Sequence, residues 1–171
     1  MAAGIVLALD LGARAAWALG PPGAAPYSGL IDLPFDAGDG AGAAALSDLL
    51  QGLWKRERPS VVAVEQRLVA HQKTNAAALQ RLYGLHFIAC EWAYRMRATL
   101  KETPVQKVRG WCLPNMAARD RSKKAVFDWA MERGLAPGAT MYDQTDAVAL
   151  WAYTVGWPQH GLDLPEAEAN G

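Results

Sequence analysis

Unbroken apolar runs and helical stripes divide this chain into recognisable segments. Ile5, Val6, Leu7, Ala8 and Leu9 form one continuous run, the pattern of a strand buried on both faces. Asp10 ends the run, and Gly12 follows where the backbone is expected to turn or to approach something closely. Residues 15–19 read as a second strand, broken by Pro21-Pro22-Gly23, and residues 27–33 as a third. The three would form a meander. Residues 36–45 are rich in Gly, Ala and Asp and read as flexible. A helix is expected over 43–58, with Leu46, Leu49, Leu50, Leu53 and Trp54 on one face. Val61-Val62-Ala63-Val64-Glu65 repeats the buried-strand pattern and again ends in a carboxylate.

Residues 66–72 read as a loop. A long helix follows over 74–97, with Leu79, Leu82, Tyr83, His86, Phe87, Cys90 and Tyr94 at spacings of three and four. Residues 98–102 suggest an edge or final strand. Thr103-Pro104 reads as an N-cap followed by proline at the first helical position. Residues 115–121 are polar and basic and read as a loop. Ser122 caps a further helix that runs to Arg133 and stops at Gly134. A linker over 137–141 leads to a last helix that begins at Asp143 and is closed by Gly156 and Pro158. The order of elements predicts an α/β fold, a mixed sheet of about five strands with helices on both faces. One domain is expected over 1–157, with an acidic, frayed tail over 158–171.

At 171 residues, 51% hydrophobic and 20% charged, the chain is long enough to bury a sizeable core. No apolar run approaches the roughly 18 residues of a membrane span. The N-terminus lacks a basic region followed by a long apolar one, so a soluble cytoplasmic protein is expected. Cys90 and Cys112 read as reduced core thiols rather than a disulfide framework. Net charge is zero, but it is segregated. Residues 51–124 hold fifteen Lys and Arg against five acids, and the remainder holds two against twelve. Such a division suggests a basic surface for a polyanion beside an acidic pocket or tail, although solvated helix faces give the same count.

The acids carry the chemistry. Two adjacent parallel strands joined through a helix bring Asp10 and Glu65 to the same sheet edge, where sites in open sheets form. Asp143 and Asp146 lie three apart at a helix start and project from one face. Asp143 alone reads equally as an N-cap or first-turn residue. Asp146 lies beside Ala147 and Leu150, so a helix packed on the sheet edge aims it at Asp10 and Glu65. Four converging carboxylates repel one another unless cations bind. Oxygen-only donors select hard ions, Mg²⁺ or Mn²⁺ rather than zinc. Two such ions ~4 Å apart can activate water and stabilise the leaving oxygen of a phosphodiester.

The order strand-Asp, strand-Glu, basic segment, helical Asp-x-x-Asp resembles the ribonuclease H-like nucleases, and among them the RuvC-type Holliday-junction resolvases. The similar stretches are residues 5–12, Val61-Val62-Ala63-Val64-Glu65-Gln66, Val105-Gln106-Lys107, Ser122-Lys123-Lys124-Ala125-Val126 and Asp143-Gln144-Thr145-Asp146-Ala147. They span about residues 4–156. The resemblance implies a ribonuclease H-like fold and a homodimeric endonuclease that cuts four-way DNA junctions in paired, symmetric nicks. It implies two Mg²⁺ ions, with Mn²⁺ able to substitute, held by Asp10, Glu65, Asp143 and Asp146. Lys107 and Lys123 match basic positions near the scissile phosphate. Dimerisation would run through the helix over 74–97, with Tyr83 or Phe87 near the contact. The family usually has Ser or Thr after the Asp-x-Gly glycine, and a Thr-Gly shortly after. Ala13-Arg14-Ala15-Ala16 stands here, so one contact is lost or taken over by Arg14. Leu68, flanked by Arg67, stands where bacterial members carry an aromatic wedge. Leucine can wedge between bases but cannot stack as a ring does, which fits a divergent or phage-like member. The DNA-facing set expected is Arg14, Arg67, Leu68, Lys73, Lys107, Arg119, Arg121, Lys123 and Lys124.

Other features point less sharply. His86 and Cys90 have the spacing of a zinc pair, but no second pair accompanies them. His71 reads as a loop residue that either meets DNA or is solvated. Trp54, Trp92, Trp129 and Trp151 read as core, and Trp111 as packing in preference to DNA contact. A ribonuclease H-like nuclease acting on hybrids or flaps, and a DNA-structure-binding protein that no longer cuts, are the rival readings. An actin-like kinase also starts strand-Asp-x-Gly, but it needs two domains and a second Gly-rich phosphate loop.

Overall fold

The computed structural model describes residues 4–66 and 75–158. The expected contacts of Arg67, Leu68, His71 and Lys73, and the acidic tail beyond 158, lie outside that range. Five strands form one sheet in the order β3-β2-β1-β4-β5. They are β1 (Val6–Leu11), β2 (Arg14–Gly20), β3 (Tyr27–Asp32), β4 (Val61–Glu65) and β5 (Thr99–Thr103). The first three form the antiparallel meander, and β4 and β5 add in parallel to β1. The helices are α1 (Asp39–Arg56), α2 (Ala76–Arg95), α3 (Val105–Cys112), α4 (Lys123–Glu132) and α5 (Tyr142–Val155).

Strand parity sorts the core into two layers, because successive side chains point to opposite faces. Leu7, Leu9, Leu19, Val62 and Val64 are large and pack under α1 and α2 with Leu46, Leu50, Leu85 and Trp92. Ala8, Ala16, Ala18 and Ala63 face the other way, against Ala147, Ala149 and Ala152 of α5. Small side chains on both sides let that helix lie close on the sheet. The α3 and α4 helices add Val108, Cys112, Val126 and Trp129 to this second layer. Trp151 of α5 is fully buried and donates from Nε1 to the Gly20 carbonyl at 3.1 Å. Burial of a side chain that large contributes about 3 kcal/mol. The bond ties the C-terminal part of α5 to the start of β1, since Gly20 pairs with Val6. The first turn of α5 therefore lies at the end of β1 where Asp10 sits.

Several expectations need correction. Residues 36–45 are ordered: a short 3-10 turn, Phe35–Ala37, leads into α1 at Asp39. The Phe35 ring occupies the space a side chain at Gly42 would fill, and Arg81 pairs with Asp39 at 2.7 Å. Glycine here makes room for a ring instead of loosening the chain. On α2 the buried face is Leu85, His86, Ala89, Trp92 and Ala93. Tyr83, Phe87 and Tyr94 from the expected stripe are exposed instead. Thr103 ends β5, and Pro104 itself is the N-cap of α3. Met141 caps α5, so Asp143 is a first-turn residue and not the cap. Gly12 has no positive φ, and an added Cβ would meet only the Arg14 carbonyl at 3.7 Å. The fold around it does not require glycine. Ser122 caps α4 by accepting from the Ala125 amide, and Gly156 closes α5 in the left-handed region, φ 68°. Among the described residues no helix is long and apolar enough to cross a membrane.

Candidate active site

Asp10 follows Val6 and Ala8 on one face of β1, and Glu65 follows Val61 and Ala63 on the same face of β4. The two strands pair in parallel as far as Leu9 opposite Val64, so the acids emerge side by side, one residue further on. This is the alanine-lined face that α5 covers. The first turns of α5 therefore bring Asp143 and Asp146 over the strand ends. Carboxylate oxygens of Asp10, Asp143 and Asp146 lie within 4.8 Å of one another. Glu65 forms the adjoining wall: it lines a cleft of about 350 Å³ together with Asp10 and Asp146.

The cluster is only partly neutralised. Lys123, at the start of α4, reaches Asp143 at 2.7 Å and Asp146 at 3.3 Å. Arg14 pairs with Asp143 at 2.8 Å, and Arg109 lies 3.6 Å from Asp146. Burial pushes the Asp10 carboxyl up to about 7, and Glu65, Asp146 and Asp143 push the same way. Burial also raises Glu65, with Asp146 adding to it. Asp146 is raised by burial despite Lys123 and Arg109. Asp143 goes the other way: burial acts to raise it, but Lys123 and Arg14 outweigh burial and hold it low. Burial lowers Lys123, yet its bond to Asp143 and the fields of Asp146 and Asp10 raise it overall. Four converging oxygen-donor groups, three of which resist ionising without further positive charge, suit a hard divalent cation.

The expected basic residues fall into separate places. Lys123 is in the cluster and lines the cleft. Lys107 is not: it is exposed, with its ammonium 5.9 Å from the Tyr153 ring centre. Arg109, which the sequence reading passed over, lines the cleft instead. The signal was present, because Val108 and Cys112 mark the core side of α3. Arg109 lies one helical turn beyond Val105, and both line the cleft. Arg14 binds Asp143 at the rim. Lys124 is engaged by Asp128 at 2.6 Å, away from the cluster. Arg119 is exposed beside Asp120. Arg121 braces its own loop, donating to the Met116 carbonyl at 2.8 Å. Trp111 packs edge-on between Trp129 and Tyr153, at 5.9 and 5.7 Å.

No family model matches the chain, and no curated protein matches it. Solved structures do. Thermus thermophilus RuvC aligns with a TM-score of 0.62 at 16% identity, over 89% of this chain and 96% of that one. T. thermophilus RuvC in complex with Holliday junction substrate aligns at 0.66 and 14% identity, over 86% and 89%. The yeast mitochondrial Holliday junction resolvase Ydc2 aligns at 0.55 and 12% identity, over 90% and 77%. With five strands in mixed order and helices on both faces, the chain has the ribonuclease H-like fold of the RuvC-type resolvases.

Proposed function

We propose that this chain is a divalent-metal-dependent endonuclease that resolves four-way DNA junctions by paired, symmetric nicks. The observation that carries the reading is the convergence of Asp10, Glu65, Asp143 and Asp146 at one sheet edge, in a fold shared with junction resolvases. The donor set fits Mg²⁺, with Mn²⁺ as a substitute. When bound, such cations supply Lewis acidity to the attacking water and to the leaving oxygen. Asp10 and Glu65 would hold them from the strand ends, and Asp143 and Asp146 from α5. Lys123 and Arg109 stand beside the carboxylates, where their charges can meet the non-bridging oxygens of a bound phosphodiester. Lys107, Arg119 and Lys124 lie further out and suit contacts to flanking phosphates.

The chain would act as a homodimer. Phe87 and Tyr94 of α2 are 70% and 84% exposed, and with Tyr83 they make an apolar stripe suited to a two-fold seam. The test compares wild type with Asp146→Asn on junction, flap, RNA–DNA hybrid and linear duplex, each with Mg²⁺ and with Mn²⁺. Wild type is expected to cut the junction at paired sites. The variant is expected to bind it equally well and cut it orders of magnitude more slowly. Unchanged cutting by Asp146→Asn would overturn the assignment, and preferential cutting of hybrid or flap would move the substrate class.

A further inference from the structure

Away from the carboxylate cluster, three different ligand types meet between α2 and the edge strand β5. His86 and Cys90 lie one helical turn apart, and the Cys90 sulfur is 3.3 Å from His86 Nδ1. Glu102 reaches in from β5, with Oε1 3.2 Å from His86 Nε2. One donor atom from each residue lies within 4.8 Å of the others. Bonds of about 2.0–2.3 Å in a tetrahedral centre place neighbouring donor atoms about 3.3–3.8 Å apart. Cys90 faces Nδ1 and Glu102 faces Nε2, so sharing one ion means closing to that spacing around a single ring nitrogen, with the more exposed Glu102 side chain swinging to the Nδ1 side.

The His86 ring is only 3% exposed and so is fixed in place, whereas the Glu102 side chain is 34% exposed. An ion has a way in, and water can take a fourth position. We propose that His86, Cys90 and Glu102 form a second cation site, selective for a zinc-class ion. Sulfur, nitrogen and oxygen donors together favour Zn²⁺ or Co²⁺ over Mg²⁺, the reverse of the carboxylate cluster. An ion held there staples β5 to α2. It also braces the wall of the cleft, which His86 lines. Cys112 does not compete, because burial pushes its thiol up to about 12. The alternative is a hydrogen-bonded chain through His86 that binds no metal, and it predicts different outcomes.

The experiment uses the full chain carrying Asp10→Asn and Asp146→Asn, so the result stands whether or not the protein cuts DNA. Co²⁺ titration is expected to show one equivalent with a near-ultraviolet thiolate-to-cobalt band and the strong visible bands of a four-coordinate centre. Adding Cys90→Ser should abolish the thiolate band. Adding Glu102→Gln should weaken Zn²⁺ and Co²⁺ binding by at least about 10-fold. Zn²⁺ should raise the melting temperature of the parent and not of the Cys90→Ser form. The absence of a thiolate band in the parent overturns the site. So does its persistence in Cys90→Ser, or an equal rise in melting temperature in both.

Discussion

Asp10 stands one residue before the end of a strand whose preceding residues, Val6 to Leu9, are all buried, and burial raises its carboxyl to about 7. The native state thus binds this proton more tightly than the unfolded chain, where an aspartate titrates near about 4. Asp10 therefore lends stability that is full below about pH 4 and is lost as pH rises through about 7. Asp10→Asn removes that loss. With chelator at about pH 8, the variant is expected to be more stable than wild type by on the order of 1–4 kcal/mol. The gap should narrow toward about pH 5. Thermal or denaturant unfolding across that range checks it. Mg²⁺ should reverse the order, raising the midpoint of wild type and leaving Asp10→Asn nearly unmoved.

Helix α3 shows how the side on which a residue projects decides its role. Val105 and Arg109 share the cleft side, Val108 and Cys112 are buried, and Lys107 reaches toward Tyr153. Arg109→Ala is therefore expected to slow single-turnover junction cleavage by at least about 10-fold, with a smaller change in affinity. Lys107→Ala should act mainly through affinity, and quench-flow beside gel-shift titration separates the two. Much of this scale was legible in the sequence. The β1 and β4 strands announce themselves as apolar runs ending in Asp10 and Glu65, and Pro21-Pro22-Gly23 marks the turn of the meander. The facing of α2 was not legible. It is apolar on two sides, and periodicity alone cannot say which side meets the sheet. Nor was the start of α1 legible, since Gly42 has its meaning only under the Phe35 ring. Glu102 joins His86 and Cys90 through strand pairing, which no local spacing encodes.

At the scale of the molecule, the zero net charge conceals a basic middle segment and acidic flanks. Asp10 comes from one flank and Asp143 and Asp146 from the other, and folding sets them against Lys123 and Arg109 of the basic segment. That mixed site draws on two cations of the basic segment, whereas Lys55, Lys101, Lys107 and Lys124 among the rest are exposed to solvent. The stripe on α2 belongs to this scale too. Phe87→Asp combined with Tyr94→Asp is expected to convert a dimer to a monomer in sedimentation, with paired nicks becoming single ones and the fold intact by circular dichroism. A dimer that persists would place the seam elsewhere.

The alanines between α5 and the sheet work as a ruler. Asp10 and Glu65 are fixed to one side of that layer and Asp143 and Asp146 to the other, so the thickness of a few methyl groups sets how far apart the acids stand. One extra methylene at Ala18 or Ala152 would thicken that layer without lining the cavities the acids share. It could still spread the four past the span of a single ion, so a change deep in the core would read out as lost chemistry before it read out as a lost fold.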